Sequence, residues 1–163
     1  MAAAEKQNSP LPKLVQYALK GVEYQITTFP DTMRDAEEIA EWLGVPPAQL
    51  FKTLVAVLPD NTNKRYLVII GANQQLNLKY LAKAIGEKKV VMATHEQAEM
   101  LTGLQVGGIS ALALKNKNFK IYLDESAKMF DQIYVSGGKR GLDVKLAVKD
   151  LIKITNAKLV KAA

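Results

Sequence analysis

Apolar residues recur at the spacing i, i+3, i+4, i+7 in four segments of the chain, and this spacing predicts four amphipathic α-helices. The repeating positions are Leu11, Leu14, Val15 and Ala18; Ala36, Ile39, Ala40 and Leu43; Leu78, Leu81, Ala82 and Ile85; and Val144, Ala147, Val148 and Leu151. Residue types that favour helix ends support these segments. They are Asn77 and Thr94 as N-caps, Gly21, Gly44 and Gly86 as stops, and the pair Pro46-Pro47 behind the second stop.

Between the helical segments, apolar or alternating runs predict β-strands. These runs are residues 24–28, 53–58, 66–70, 90–92, 119–123 and 133–135. The polar segment 60–63 joins two of them as a hairpin loop, so we expect at least one antiparallel strand pair and a mixed sheet. Helices and strands that alternate in this way predict an α/β fold.

The chain has 163 residues, of which 48% are hydrophobic, and this is enough for one good core. We therefore predict one domain over residues 10–163, preceded by a flexible tail at residues 1–9. No apolar stretch approaches the roughly 20 residues of a membrane span, and residues 1–10 lack the apolar middle of a signal peptide. These features predict a soluble, cytoplasmic protein with no membrane partner.

Charge and cysteine usage narrow the class of protein further. Lys and Arg number 22 against 16 Asp and Glu, which gives a formal net charge of +6 and favours a polyanionic partner such as RNA. The chain has no cysteine, which excludes disulfides, thiolate zinc sites and a cysteine nucleophile. His95 is the single histidine, and it follows the predicted cap Thr94, so we expect a solvated first-turn residue rather than a general base. No carboxylate spacing is typical of a metal site, so neither a metal nor a cofactor is predicted.

Residues 134–143 combine a strand end, three glycines, two cations, a hydroxyl and a carboxylate in ten positions. Glycines let backbone N–H groups converge, so this turn can cradle an anion while Lys139 and Arg140 add charge. The alternative is an ordinary strand-to-helix turn with solvated cations. The spacing does not match a P-loop, so nothing here indicates nucleotide hydrolysis.

Two further segments carry candidate chemistry. Lys52 begins an apolar strand, where it either serves a site or extends its ammonium harmlessly to the surface. The pair Gly107-Gly108, followed by Ile109 and Ser110, either presents N–H groups to an oxyanion or forms a tight turn. Taken by itself, each of these two segments is compatible with both of its interpretations.

Together these three segments resemble the YbaK/EbsC proteins, freestanding relatives of the editing domain inserted in bacterial prolyl-tRNA synthetases. The matching segments are Phe51-Lys52-Thr53-Leu54, Thr102-Gly103 with residues 106–110, and residues 134–143. The resemblance covers residues 11–159 and implies a single compact α/β domain with a mixed, curved, barrel-like sheet surrounded by helices. It departs at Ala111, where the family loop usually has proline.

The resemblance also implies a function, which is hydrolysis of the ester that joins a wrong amino acid to tRNA, with Cys-tRNA(Pro) as the main substrate. The implied partners are the acceptor end of tRNA and prolyl-tRNA synthetase. In the cysteine-editing branch the substrate's own thiol attacks the ester, and this accounts for the missing nucleophile. For other amino acids a bound water takes the place of the thiol.

The resemblance matches family site residues to Lys52, Gly107, Ser136, Asp143 and Phe29, and neighbouring residues of the three segments complete the predicted site. The expected catalytic residues are Lys52, Gly107, Gly108, Ser136 and Asp143. The expected substrate-binding residues are Phe29, Thr53, Ile109, Ser110, Gly137, Gly138, Lys139 and Arg140. In this prediction the Gly107 and Gly108 amides hold the carbonyl oxygen, Lys52 contacts the terminal ribose-phosphate or polar groups of the substrate, and Lys139 and Arg140 hold phosphates.

Two other classes of function stay open at this point. A non-catalytic module that binds tRNA or a synthetase would have the same fold and charge, and Ala111 favours this alternative. An RNA-binding domain that ignores the amino acid would bind charged and uncharged tRNA equally, although the chain has few aromatic residues for base stacking.

Overall fold

The computed structural model describes residues 9–115 and 117–163, and this part of the chain contains five α-helices and eight β-strands. The helices are α1 (Lys13–Ala18), α2 (Ala36–Leu43), α3 (Leu78–Ile85), α4 (His95–Thr102) and α5 (Val148–Thr155). The strands are β1 (Tyr24–Thr28), β2 (Phe51–Leu58), β3 (Asn61–Gly71), β4 (Val91–Met92), β5 (Lys120–Asp124), β6 (Gln132–Ser136), β7 (Leu142–Ala147) and β8 (Lys158–Val160). Residues 1–8 of the predicted tail lie outside the described residues.

The strands form two sheets. A five-stranded sheet has the order β4-β2-β3-β5-β8, and a three-stranded sheet has the order β1-β7-β6. β2 is antiparallel to β3 and β4, whereas β5 runs parallel to β3 and β8, so the predictions of a mixed sheet and of a β2–β3 hairpin are confirmed. The turn lies at residues 59–60, and residues 61–63 of the predicted loop belong to β3. An isolated bridge between Leu50 and Tyr134 joins the two sheets. The pairings among the described residues thus give two sheets, and the barrel-like form is not confirmed.

Strand β3 explains how the core is organised. Leu67 and Ile69 face the main core between the two sheets, while Val68 and Ile70 face a second core beneath α3. Both faces of this strand are buried, which accounts for a nearly continuous apolar run rather than an alternating one. Truncation of one of these side chains to alanine is expected to cost about 2–5 kcal/mol.

Helix ends follow the sequence signals closely. Asn77 Oδ1 accepts a hydrogen bond from the Tyr80 N–H at 3.0 Å, and Thr94 forms a capping box with Gln97. Gly44 and Gly86 end α2 and α3 in the left-handed conformation. His95 is exposed in the first turn of α4, as predicted.

The predicted start of the last helix, at Val144, was wrong. Residues 144–147 belong to β7, and the helix begins at Val148. Val144 and Leu146 alternate with polar neighbours and point into the main core, so they satisfy a strand period as well as the helix period. The turn at residues 137–141 is therefore a strand-to-strand turn, and β7 and β8 are two strands that the pattern did not predict.

The three-stranded sheet presents its second face to α2. Ile39 and Ala40 of α2 pack against Tyr134 on that face. Polar side chains lie further along the same face, where the sheet approaches the beginning of β2. The junction of the two sheets is therefore the place where charged and hydroxyl groups meet.

Candidate active site at the junction of the two sheets

A cavity of about 230 Å³ lies between the start of β2, the N-terminus of α2, the outer face of β6 and β7, and the loop before Ile109. Seven of the predicted site residues line it, namely Phe29, Lys52, Thr53, Gly107, Ile109, Ser136 and Asp143. β4 pairs only with Ala56 and Val57 of β2, so the described strands leave residues 51–54 of that edge open to the cavity.

Ser136 and Asp143 are neighbours across the β6–β7 pair. The register places Ser136 opposite Asp143, and Thr27 of β1 opposite Asp143 on its other side. Residues directly opposite in a sheet point to the same face, so a hydroxyl flanks the carboxyl group on each side. Ser136 and Asp143 belong to one short motif, but Thr27 is more than 100 residues away in sequence, and strand pairing brings it beside them.

Asp143 is 6% exposed, and its burial raises the pKa of the carboxyl group from 3.8 to about 7. Burial disfavours the charged form, and no ion pair joins this carboxylate to Lys52 in the described part of the chain. At neutral pH the group is therefore divided between its protonated and ionised forms. A carboxyl group of this kind can accept or donate a proton near physiological pH.

The Lys52 ammonium is held at the cavity by a backbone carbonyl. Its Nζ donates to the Ala72 oxygen at 3.3 Å, and the Ala72 N–H donates to the Leu50 oxygen at 2.7 Å. A single hydrogen bond to a neutral oxygen leaves the charge uncompensated, because an ammonium carries three donors. Lys52 can therefore bind an anionic or carbonyl oxygen in the cavity.

The turn that carries Ala72 is itself braced by Gln74 and Asp124. Gln74 accepts from the Gly71 N–H at 2.8 Å and donates to Asp124 at 3.2 Å. Burial would raise the pKa of Asp124, but hydrogen bonds from Ser126, Ala162 and Gln74 outweigh it and lower the pKa. Asp124 is thus an ionised structural anchor, unlike Asp143.

Thr53 presents an unpaired hydroxyl. Its Oγ1 is buried and has no hydrogen-bond partner among residues 9–115 and 117–163. Buried polar atoms are rarely left without a partner, and such exceptions often mark functional positions. Thr53 lines the cavity, so rotation of its side chain on binding would bring this hydroxyl to a polar atom of a bound molecule.

Val106 anchors the loop that contains Gly107. Its N–H donates to the Glu99 carboxylate at 2.8 Å, and its oxygen accepts from Arg140 Nε, also at 2.8 Å. Gly107 follows with φ +93°, a conformation that side chains other than glycine rarely adopt. No hydrogen bond to the Gly107 N–H is found within the described residues, so this donor is available to the cavity.

The assignment of the Gly108 amide to a substrate oxygen was wrong, because this N–H donates to the Gln105 oxygen at 2.8 Å. A Cβ on Gly108 would lie 2.9 Å from the Arg140 backbone nitrogen. Glycine is therefore needed here for the close approach of two backbones. Ser110 is also structural, since it is 1% exposed and its Oγ accepts from the Leu112 N–H.

In the glycine turn at residues 137–141, the N–H groups of Gly137 and Gly138 are hydrogen-bonded within the turn and are not free for an anion. The Gly137 N–H donates to the Leu142 oxygen, and the Gly138 N–H donates to Ser136 Oγ. Both glycines pack against the start of α1, away from the cavity lining. Their expected role as substrate-binding groups is therefore replaced by a role in shaping the turn.

Lys139 and Arg140 have different surroundings, although both were predicted to hold phosphates. Lys139 is exposed, whereas Arg140 is partly buried and holds Val106 as described. Arg140 is thus a positioning residue for the Gly107 loop. Only Lys139 keeps the surroundings expected of a phosphate-binding cation.

Four residues that line or support the cavity were not predicted from the sequence, namely Thr27, Arg34, Asp35 and Glu99. Arg34 lines the cavity, and its Cγ lies 3.6 Å from the position of a Cβ on Gly107. Asp35 lines the cavity too and caps α2 through the Glu38 N–H. Neither the helix period nor the strand period marks these residues as site residues. Their only sequence signal is a position next to a capped helix or in a strand.

Ala111, which departs from the family motif, lies in an ordered turn. It begins a 3-10 helix at Ala111–Ala113 that Ser110 caps, and it is 4% exposed. The cap and the packing restrain the loop in the absence of proline. Ala111 therefore gives the non-catalytic alternative no structural support.

Gly107→Ala should lower the rate of the ester hydrolysis that the family resemblance implies by at least tenfold at saturating substrate. The added methyl would lie 3.5 Å from Arg140 Cγ, and strain at this φ is expected to cost about 1–3 kcal/mol. Gly103→Ala is the matched control, because Gly103 has φ +72° with nothing within 4 Å of the new methyl. Equal rates for the two variants in single-turnover assays would show that Gly107 is only a turn residue.

The comparisons with known proteins show the family to which the chain belongs. The chain matches the aminoacyl-tRNA editing domain family over residues 31–154. It is 36% identical over 96% of its length to an Enterococcus faecalis protein, 93% of which is covered, named "Putative Cys-tRNA(Pro)/Cys-tRNA(Cys) deacylase EbsC". It is 28% identical over 86% of its length to an Escherichia coli K12 protein, 84% of which is covered, named "Multifunctional Ser/Thr-tRNA deacylase ProXp-y".

A solved structure described as a "putative trans-editing enzyme for prolyl tRNA synthetase" superposes with a TM-score of 0.79 at 26% identity. The match covers 94% of this chain and 97% of that one. The fold is thus that of an aminoacyl-tRNA editing domain. The chain belongs to the aminoacyl-tRNA editing family, in its YbaK branch.

No helix in the described part of the chain is long and apolar enough to cross a membrane.

Proposed function

We propose that this protein is a trans-editing aminoacyl-tRNA deacylase that hydrolyses the ester of a mischarged tRNA. The observation that carries the proposal is the meeting of Lys52, the free Gly107 N–H, Ser136 and Asp143 in one cavity. An aminoacyl ester is already activated, so a site that positions it and stabilises its oxyanion can accelerate hydrolysis without a protein nucleophile. A single oxyanion donor is worth about 3–4 kcal/mol.

Each residue has a role in this proposal. The Gly107 N–H donates to the developing oxyanion, and Lys52 holds the terminal ribose-phosphate. Asp143 takes a proton from the attacking group, because its pKa of about 7 matches neutral pH. Ser136 and Phe29 orient the aminoacyl group, and exposed Lys139 contacts a phosphate near the acceptor end.

The proposed substrate is Cys-tRNA(Pro), in agreement with the name of the Enterococcus relative. The thiol of the bound cysteine gives its proton to Asp143 and attacks its own ester carbonyl. The ribose oxygen leaves and takes up that proton, and water then hydrolyses the cyclic thioester to free cysteine. Serine and threonine esters, named for the Escherichia relative, are the alternative substrates. All three amino acids carry a small polar group that Thr53 can contact. The proposed partners are the acceptor end of tRNA and prolyl-tRNA synthetase.

A deacylation screen tests the proposal directly. The tRNA for proline is charged with Cys, Ser, Thr, Ala or Pro, and release of each amino acid is compared with a reaction that lacks the protein. We expect the largest acceleration for Cys-tRNA(Pro) and little for Pro-tRNA(Pro). Absence of acceleration for every ester, together with equal affinity for charged and uncharged tRNA, would instead indicate an RNA-binding module.

Thr53→Val tests the unpaired hydroxyl separately. The substitution keeps the shape and removes only the polar atom, so KM for the preferred ester should rise about fivefold or more while folding stability holds or increases. The matched control is Thr102→Val, because Thr102 is buried outside the cavity and its Oγ1 donates to the Ala98 oxygen at 2.7 Å. That variant should lose stability with KM unchanged. An unaltered KM in Thr53→Val would remove this hydroxyl from the site.

A further inference from the structure

Two adjoining cavities lie at the end of the five-stranded sheet opposite to the candidate active site. One, of about 230 Å³, is lined by the first half of β3 and the start of β5. The other, of about 320 Å³, is lined by the start of β5 and the segment around Lys158. Phe119 and Lys120 line both, so the two cavities form one continuous surface. We call it the far-end surface and define it by Lys64, Arg65, Lys115, Phe119, Lys120 and Lys158.

Strand register sets the distance of this surface from the active site. Lys120 lies opposite Tyr66 in the β3–β5 pair, whereas Lys52 lies opposite Ile70 in the β2–β3 pair. The four residue-to-residue steps from Tyr66 to Ile70 span about 13 Å at 3.3 Å per step. The far-end surface is therefore separate from the cavity that contains Lys52.

The charges of the far-end surface are poorly balanced. Five of the fifteen residues that line the two cavities are cations, and Glu87 is the one carboxylate among them. Glu87 lies 3.9 Å from Lys64, in an ion pair that is largely exposed and contributes little. Like charges that lie close together repel each other, so binding of an anionic partner lowers the electrostatic energy of this surface.

Arg65 shows that the surface is partly preformed. Its Nη1 donates to the Leu101 oxygen at 3.3 Å, and its guanidinium lies 5.4 Å from the centre of the Phe119 ring. Its Nε is buried without a hydrogen-bond partner among the described residues. The remaining cations, Lys64, Lys115, Lys120 and Lys158, are exposed.

The composition favours a nucleic-acid backbone over a protein as the partner. Protein interfaces have an apolar centre with aromatic anchors and are depleted in lysine. The far-end surface has the opposite composition, because its exposed side chains are lysines and asparagines, while the aromatic residues that line it, Tyr66, Phe119 and Tyr122, are buried or half-buried. Lysines that are spread over a surface bind phosphates without regard to sequence.

We propose that the far-end surface binds the phosphate backbone of the tRNA body, beyond the acceptor end that enters the active site. This inference rests on the proposed function, because it extends the same substrate to a second contact region. It predicts that the protein distinguishes a full-length tRNA from an acceptor-stem minihelix. The lysines serve affinity and take no part in the chemistry of the ester.

The test replaces Lys115, Lys120 and Lys158 together by alanine and compares two substrates, full-length aminoacyl-tRNA and the aminoacyl minihelix. For the full-length tRNA, we expect KM to rise at least tenfold and the dependence of log affinity on log salt to flatten by roughly 0.7–0.9 per lost contact. For the minihelix, KM should change less than twofold. The rate at saturating substrate should be unchanged for both.

Two further variants serve as controls. Replacement of the same three lysines by arginine preserves the charge and should restore the wild-type KM. The double variant Lys79→Ala, Lys128→Ala removes two exposed cations that line neither the active-site cavity nor the far-end surface, and it should have wild-type behaviour. Equal loss for tRNA and minihelix, or loss in the control, would overturn the proposal.

The failure of the proposal is distinguishable from failure of the proposed function. Suppose that the wild-type protein deacylates aminoacyl-tRNA and the triple alanine variant keeps the wild-type KM and salt dependence. This result overturns only the far-end contact. Loss of binding to a synthetase in that variant, with tRNA affinity unchanged, would also overturn it in favour of a protein partner. Wild-type protein without deacylase activity overturns the proposed function, and binding of uncharged tRNA then still tests the surface.

Discussion

Asp143→Asn should give a protein that is more stable than wild type at pH 8 and at least tenfold slower in deacylation at saturating substrate. The carboxyl group is buried with a pKa of about 7, so at pH 8 it is ionised in a place that disfavours charge. Asparagine has nearly the same shape and no charge. The substitution therefore removes the cost of burying the ion, together with the ability to accept a proton.

The stability difference should depend on pH in a defined direction. The pKa is raised from 3.8 in the unfolded chain to about 7 in the folded protein, so between these values the folded state binds more protons. Wild-type stability therefore falls as pH rises from about 4 to 7, and the loss is complete above that range. The gap between the two pKa values corresponds to at most about 4 kcal/mol at pH 8, and to nearly nothing at pH 4.

Denaturant unfolding of both proteins at pH 4.5 and pH 8, combined with single-turnover rates, measures both effects. The matched control is Asp60→Asn, because Asp60 is exposed in the β2–β3 turn and its loss should change neither stability nor rate. If Asp143→Asn has the stability of wild type at pH 8, the carboxyl group is better solvated than its burial indicates. If its rate is also unchanged, Asp143 has no part in the reaction.

Lys52→Ala should lower the deacylation rate constant at least tenfold, which corresponds to about 1.4 kcal/mol of transition-state stabilisation. Folding should be largely retained, because the side chain is half-buried and makes a single hydrogen bond, to the Ala72 oxygen. Loss of that bond is expected to cost about 0.5–1.5 kcal/mol of stability. Single-turnover kinetics and thermal unfolding measure the two effects separately.

Lys52→Arg distinguishes charge from geometry at the same position. Arginine keeps the positive charge, but its planar guanidinium donates from different points than a compact ammonium. Rescue by arginine would indicate electrostatic attraction to a phosphate, and failure of rescue would indicate a specific hydrogen bond. Lys20→Ala removes an exposed lysine outside the active-site cavity and should have no effect on the rate. Full activity in Lys52→Ala would place this lysine outside the site.

Most of the secondary structure was predictable because its signals are local. The caps at Asn77 and Thr94 and the stops at Gly44 and Gly86 act within one helical turn, and the structure confirms them. The family resemblance, based on three short motifs, is confirmed as well. The motifs also led to most of the residues that line the cavity.

Predictions failed where a residue has more than one possible partner. The Gly108 N–H and the two amides of Gly137 and Gly138 looked free in the sequence, but neighbouring oxygens accept them in the structure. Residues 144–147 satisfied the helix period, yet pairing with β1 and β6 made them a strand. In each case, the pattern of apolar and polar residues does not identify the hydrogen-bond partner that the group has in the folded chain.

The sequence by itself determined the α/β composition, the helix ends, the single basic domain and, through its motifs, Lys52, Gly107, Ser136 and Asp143 as residues of interest. Only the tertiary structure decided that Ser136, Asp143 and Thr27 stand side by side, that Arg140 and Glu99 hold Val106, and that the cations of the far-end surface gather opposite the active site. Helix ends depend on contacts within a few residues, which a sequence displays. Burial, which raises the pKa of Asp143, depends on chain segments more than 100 residues apart in sequence, such as β1 and β7, and these meet only through folding.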